Sequence, residues 1–210
     1  MKNRWNNFFY FSMKFLTFVD LHDDKKYLKE LFNRAKKDDI DFVICAGDIS
    51  EFGRGLVPVL KKFNSLDKKF YVIPGNHETD EKLREVSKEF KNVINFHKEV
   101  FVKDDYVFLG YGEGGFAMED AEFRKIARDW YGKYNGKKVI LVLHGPPYNT
   151  KIDLLRDHHV GNKDFRKFIE RIKPKLTICG HLHETVNLID EVAGTKVIHP
   201  GWEGMVIELS

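Results

Sequence analysis

Cysteine is scarce in this 210-residue chain: Cys45 and Cys179 are its only two. Each sits inside an apolar run, which suits a small buried side chain and excludes a disulfide framework. A reducing, hence cytoplasmic, compartment is the expectation that follows. Long apolar runs are missing too. None approaches the roughly 20 residues that a membrane-crossing helix needs. An excess of charge of one sign is also lacking, because 35 Lys plus Arg face 32 Asp plus Glu and leave a net charge of +3. The lysine pairs Lys36-Lys37, Lys61-Lys62 and Lys68-Lys69 are scattered without aromatic interleaving. They read as solvated helix ends and loops and give no nucleic-acid signal. What remains is an ordinary globular composition, 42% hydrophobic and 32% charged, long enough for one domain with a sizeable core.

The first twelve residues stand apart. Trp5, Phe8, Phe9, Tyr10 and Phe11 lie there beside Lys2 and Arg4. The segment has neither the apolar core nor the small-residue cleavage site of a secretory signal. Aromatics next to positive charge suit a membrane interface, but a simpler reading takes Met13 as the native start and residues 1–12 as an upstream extension. Residues 13–210 are then expected to form a single domain.

Strand-like runs alternate with helical patterns. Phe15–Val19, Phe42–Ala46 and Phe70–Ile73 are apolar runs, separated by helical spacing over Lys25–Lys37 and Gly55–Phe63. A third helix is predicted over Asp80–Phe90, followed by an antiparallel hairpin from Val100 to Gly110 that turns at Asp104-Asp105. Beyond the glycine-rich stretch Gly110–Gly115, helices are predicted over Glu119–Tyr131 and Lys163–Ile172, and strands over Val139–Leu143 and Leu176–Cys179. Val186–Val192, Lys196–His199 and Met205–Leu209 read as a strand-rich tail. The alternation predicts an α/β arrangement with parallel pairing in the first half, and the tail predicts a second, mixed sheet packed on the first.

Five polar clusters fall at the carboxyl ends of the predicted strands: Asp20-Leu21-His22, Gly47-Asp48, Gly75-Asn76-His77-Glu78, His144 and Gly180-His181-Leu182-His183. Such ends line the ligand crevice of open α/β sheets. Singly, each reads as a turn or a satisfied histidine. Collectively they put too many polar groups at buried strand ends to be satisfied by the chain alone. Two aspartates, an asparagine and four histidines, without thiolate, suit Mn, Fe, Co, Ni or Zn better than Ca or an iron–sulfur cluster. One zinc would use only three or four of them. The surplus points to two divalent ions sharing a carboxylate.

In order, the chain reads DLH, GDISE, GNHE, LHG and GHLH from Asp20 to His183. This series resembles the calcineurin-like metallophosphoesterases, and with HGPP at 144–147 and Pro200-Gly201 it is similar to the smaller phosphodiesterase-like members. The resemblance implies two mixed sheets packed as a sandwich flanked by helices. It implies Asp20, His22 and His183 on one metal, Asn76, His144 and His181 on a second, Asp48 bridging both, and His77 facing the leaving group. Manganese is the metal expected in vitro. Glu51 and Glu78 match acidic positions of the pattern and are expected to orient backbone or support a ligand.

Two cations about 3.5–4 Å apart can hold and acidify a water and clamp phosphoryl oxygens during in-line displacement. The chemistry implied is therefore attack on phosphorus by a bridging hydroxide, with His77 as general acid. The substrate expected is a small phosphorylated or nucleotide-like diester. A phosphomonoesterase or protein phosphatase is the neighbouring alternative. Phe52 stands where protein phosphatases of this pattern carry arginine, which counts against that branch. A non-catalytic scaffold of the same fold is the alternative from another class. His159 is a candidate to reach the site, with an exposed loop position its equal alternative. Gly112–Gly115 reads as a lid or as a plain loop. Trp202 is expected in the core.

Overall fold

A computed structural model describes residues 12–210. The expected extension over residues 1–12 lies outside it except for Ser12. Thirteen strands and five α-helices are present among the described residues. Strands β1 (Met13–Phe18), β2 (Phe42–Cys45), β3 (Lys69–Val72) and β4 (Val93–Asn95) run parallel, with β13 (Met205–Leu209) added antiparallel against β1. The second sheet has the order β11 (Ile189–Val192), β12 (Thr195–Ile198), β10 (Leu176–Ile178), β7 (Lys138–Leu143), β6 (Tyr106–Tyr111), β5 (Glu99–Lys103). Its four inner strands are parallel and its two edge pairs antiparallel. The second sheet is mixed, as expected, but the tail does not build it alone. β13 closes the first sheet, and the centre of the second comes from mid-chain strands.

Both faces of each sheet are covered, so the central strands are apolar at nearly every position rather than alternating. In β1, Phe15 turns toward the other sheet and Leu16 and Phe18 turn outward. The outward residues pack under α1 (Lys25–Ala35), α2 (Leu56–Asn64) and α3 (Asp80–Ser87) through Leu31, Leu60, Phe63 and Leu83. On the far side, α4 (Ala121–Tyr134) and α5 (Lys163–Ile172) lay Phe123, Trp130, Phe165 and Ile169 on β6 and β7. Between the sheets, Phe108 lies 4.4 Å from Phe101 in a stacked pair and meets Phe42 and Phe15 edge-on at 5.6 and 5.8 Å. The order is helices, sheet, sheet, helices.

Local chemistry sets the helix starts. The Asp24 carboxylate accepts from the N–H groups of Lys26 and Tyr27, and Asp120 and Asn162 cap α4 and α5 in the same way. The hairpin forms as predicted, with Lys103 opposite Tyr106 and Asp104 in the left-handed region at φ 51°. Two elements escape the sequence reading. β4 is only three residues long, and the miniature pair β8 (Leu154–Leu155) and β9 (His158–His159) consists of two-residue strands. Runs so short carry no period to detect.

Phe108 is fully buried between the two sheets. Phe108→Ala is expected to cost about 3–5 kcal/mol of unfolding free energy. Urea titration followed by circular dichroism should show a lower midpoint at unchanged slope. A loss below about 1 kcal/mol would contradict the close sheet-on-sheet packing.

Candidate metal centre

Because the strands at the centre of each sheet are parallel, their carboxyl ends share an edge, and the loops leaving the two edges meet. Beyond β1 and β2 the chains stay joined: Asp20, His22 and Asp23 donate their N–H groups to the carbonyls of Gly47, Asp48 and Ile49, each at 3.1 Å. These bonds hold a tight and strained backbone. Asp20 (φ 55°), His22 (48°), Asp48 (48°) and His181 (76°) all lie in the left-handed region. Asp and His tolerate that region better than most residues, yet four such residues among seven candidate ligands store strain where side chains must be aimed. Glycine permits the closest approaches. A Cβ on Gly75 would collide with the Asp48 carboxylate, and one on Gly47 (φ 105°) would come within 2.5 Å of His144 Nδ1.

Six of the seven candidate ligands fall into two groups of converging atoms: Asp20, His22 and His183, and Asp48, His144 and His181. Asn76 joins the second group, its Oδ1 3.0 Å from His144 Nε2. Nε2 of His22 lies 3.1 Å from Nε2 of His183. Asp48 is placed between the groups, with Oδ2 3.5 Å from His144 Nε2 and 3.9 Å from His22 Nε2. Its Oδ1 accepts from the His77 N–H at 2.9 Å.

The electrostatics of this cluster call for positive charge. His144 Nδ1 lies 3.0 Å from the carbonyl of Ala46, which only accepts, so Nδ1 carries the proton. Burial holds the His144 ring below its usual pKa and therefore neutral. Its Nε2 then presents a lone pair to Asn76 Oδ1, another acceptor. His181 is driven down to about 4, by burial first and then by His144. Asp20 donates nothing and receives the His181 N–H at Oδ2 (2.9 Å), while its buried Oδ1 has no hydrogen-bond partner. Burial and the charge of Asp48 push its carboxyl well above the usual range. Among the described residues, no lysine or arginine lines the cleft, which has a volume of about 620 Å³ and is walled by His22, Asp48, Asn76, His77, Phe116 and His181 with their neighbours. Buried acceptor atoms without a cationic side chain are the signature of a site that fits divalent metal.

The remaining motif residues support this arrangement. Glu78 is buried and fastens two loops: one oxygen accepts from the N–H and hydroxyl of Ser50 at 2.8 and 2.6 Å, the other from the Gly75 N–H at 3.2 Å. Burial raises its pKa. Glu51 stands nearer the opening, 3.4 Å from His22 Nδ1 and 3.8 Å from His77 Nδ1. The His77 ring leans on His22 at 4.5 Å and stacks on Phe52 at 3.9 Å. Trp202 packs against His183 and Tyr27 behind the cleft. His159 is held at 2.8 Å by Asp153, whose carboxylate also gathers the N–H groups of Asn149, Thr150 and Gly161, and neither residue lines the cleft.

Two buried histidines went unrecognised in the sequence, His199 behind Asp20 and His97 beneath the glycine-rich loop. His199 donates from Nε2 to the Leu182 carbonyl at 3.1 Å and lies 3.7 Å from Asp20 Oδ2. Burial lowers it to about 4. It ends β12 as the other polar residues end their strands, so the signal was available. His97 accepts the Gly112 N–H at 2.8 Å and anchors the glycine-rich loop. It follows β4, the strand too short to see, and no pattern marked it.

The family model for calcineurin-like phosphoesterases matches residues 13–185. An uncharacterized protein of Methanocaldococcus jannaschii, MJ1162, is 32% identical over 200 residues, covering 90% of this chain and 88% of that protein. A probable glycerophosphodiester phosphodiesterase of Arcobacter nitrofigilis, GpdQ, is 29% identical over 157 residues, covering 68% of this chain but 56% of its own length. Among solved structures, TT1561 of Thermus thermophilus superposes with a TM-score of 0.73 at 15% identity, covering 91% of this chain and 90% of that one, a likeness of fold. With the paired sheets, the five motifs at their joined edges and this match across most of its length, the chain belongs to the calcineurin-like phosphoesterase family.

Proposed function

We propose that residues 13–210 form one catalytic domain, a dinuclear metal-dependent phosphodiesterase acting on small or nucleotide-like diesters. The observation that carries the reading is the set of acceptor atoms around the buried Asp48 Oδ2, facing one another with no described cationic side chain between them. Asp20, His22 and His183 would hold one cation, Asn76, His144 and His181 the other, and Asp48 both. When bound, the pair supplies Lewis-acid charge to the phosphoryl oxygens and acidifies a water nucleophile. Manganese is the metal proposed for work in vitro.

The protein's own residues do the rest. His144 is kept in one tautomer by Ala46, so Nε2 stays available at all times. Glu78 ties the backbone at Ser50 to that at Gly75, and the His77 N–H orients the Asp48 carboxylate. His77 sits at the cleft wall with its ring 16% exposed, suited to hand a proton to a departing alkoxide. Preference for a diester is supported by the cleft's charge. A monoester dianion brings an extra negative charge, and Phe52 offers nothing to meet it where an arginine would. The activity named for the Arcobacter nitrofigilis relative agrees with this preference. A reducing, cytoplasmic setting is supported by two buried free thiols, Cys45 and Cys179.

With Mn added, bis-p-nitrophenyl phosphate should be hydrolysed with a higher kcat/KM than p-nitrophenyl phosphate. The opposite order would favour a phosphomonoesterase. His77→Ala should retain metal by elemental analysis and lose turnover by a factor of about 10²–10⁴. Unchanged turnover would remove His77 from the chemistry. Metal at roughly 100 times its Kd should add ~2.7 kcal/mol to the stability of chelator-treated protein. For a chain of this length that is a rise in Tm of about 5–11 °C. Asp48→Asn should abolish both that rise and the hydrolysis, and a full thermal response in that variant would refute the bridging role.

A further inference from the structure

Among the described residues, the only exposed aromatic side chains are Phe52 and Phe116, 68% and 58% exposed. Every other phenylalanine, tyrosine and tryptophan in residues 12–210 is buried or half-buried. A phenyl ring left in water forgoes the stabilisation that burial gives, and isolated exposed hydrophobics are otherwise unremarkable. Here both rings rest on histidines of the candidate metal centre. Phe52 stacks on His77 with centroids 3.9 Å apart and planes 19° off parallel. Phe116 meets His181 edge-on at 4.5 Å. Phe116 therefore lines the cleft beside His144–His181, whereas Phe52 borders it through His77, on the side of the His22–His77 pair.

The backbone holds each ring there. Glu51 and Arg54 exchange both backbone hydrogen bonds, at 3.2 and 3.0 Å, around a two-residue tip of Phe52 and Gly53. Both tip residues have positive φ, 49° and 79°, the pattern of a turn whose first position favours Asn, Asp or Gly. Phenylalanine is a poor choice for such a backbone, so its presence is not explained by the turn. The segment bearing Phe116 is fastened at both ends rather than free. Gly112 and Glu113 donate to His97 and Pro74 at 2.8 and 3.0 Å. Ala117 and Met118 receive Asn162 Nδ2 and the Lys163 N–H at 2.7 and 2.8 Å. Leu155 and Leu182 add apolar wall to the cleft between.

We infer that Phe52 and Phe116 are specificity-determining residues that accept a flat aromatic group, an aryl ring or a nucleobase, esterified to the phosphate. A diester carries an organic group on each side of phosphorus, and the exposed rings available to such groups are Phe116 in the cleft wall and Phe52 stacked on the wall residue His77. A planar π-face is the group such a surface holds best, independent of hydrogen-bonding pattern. The inference rests on the phosphodiesterase reading above and names the substrate class within it.

Three p-nitrophenyl diesters with a common leaving group test it: thymidine 5′-(p-nitrophenyl phosphate), phenyl p-nitrophenyl phosphate and methyl p-nitrophenyl phosphate, each with Mn-loaded protein. Relative to the methyl ester, kcat/KM should be higher for one or both aromatic esters by about 5- to 150-fold, the range given by stacking one base on one aromatic side chain. The two aromatic arms distinguish a nucleobase from a simple aryl ring. In Phe52→Ala and Phe116→Ala, and above all in the double variant, that ratio should fall toward one, whereas Phe52→Trp and Phe116→Trp should keep it. Disturbance of His77 by loss of its stacking partner lowers all three rates and cancels in the ratio. Inhibition by thymidine 5′-monophosphate relative to inorganic phosphate gives a second readout and should weaken in parallel. A wild-type ratio within about twofold of one, or a ratio that survives both substitutions, overturns the inference while leaving the phosphodiesterase intact. Absence of hydrolysis of all three esters would count against the phosphodiesterase reading itself.

Discussion

Asp48 has one carboxylate oxygen committed to the His77 N–H and the other facing imidazole nitrogens from both sheets. That second oxygen and the lone pairs around it are buried acceptors lacking a donor. Such a cluster is unfavourable in a folded chain unless a cation completes it. The fold is arranged to make this cluster unavoidable. The parallel strands of two mixed sheets bring their carboxyl ends to a shared edge, and left-handed residues at Asp20, His22, Asp48 and His181 turn the side chains inward instead of onward.

Rigidity follows from the same arrangement. The ladder between β1 and β2 continues for three further hydrogen bonds beyond the strands, and Glu78 ties the loop of Ser50 to that of Gly75. Three apolar layers, one under each set of helices and one between the sheets, hold those edges at fixed separation. A metal site needs ligands held to a fraction of an ångström. Here that accuracy comes from backbone bonds and close packing, with glycines where side-chain volume would intrude.

The outer rim is built differently. Beyond the polar floor, the cleft is bordered by Phe116, Leu155 and Leu182, and by Phe52 over His77. Under the function proposed above, a polar floor with an aromatic rim would separate two tasks: binding of the phosphoryl group below, and choice of the organic groups above. The absence of lysine or arginine from the lining residues leaves the phosphate's charge to whatever the floor ligands hold.

Much of this was legible in the chain itself. Strand ends, helix caps such as Asp24 and Asn162, and the glycines beside Asp48 and Asn76 are local features, set by backbone geometry within a few residues. The candidate ligands were legible because each of their five clusters follows the end of its own strand. Convergence is a non-local event, and what depended on it stayed hidden. Only the tertiary structure decided that Glu78 clamps two loops, that His199 lies against Asp20 while His97 anchors the glycine-rich loop, and that His159 belongs to a knot around Asp153 away from the cleft. Likewise, nothing in the sequence separates Phe52 and Phe116 from the buried phenylalanines, because exposure is set by what the rest of the chain covers and not by the residue's own neighbours.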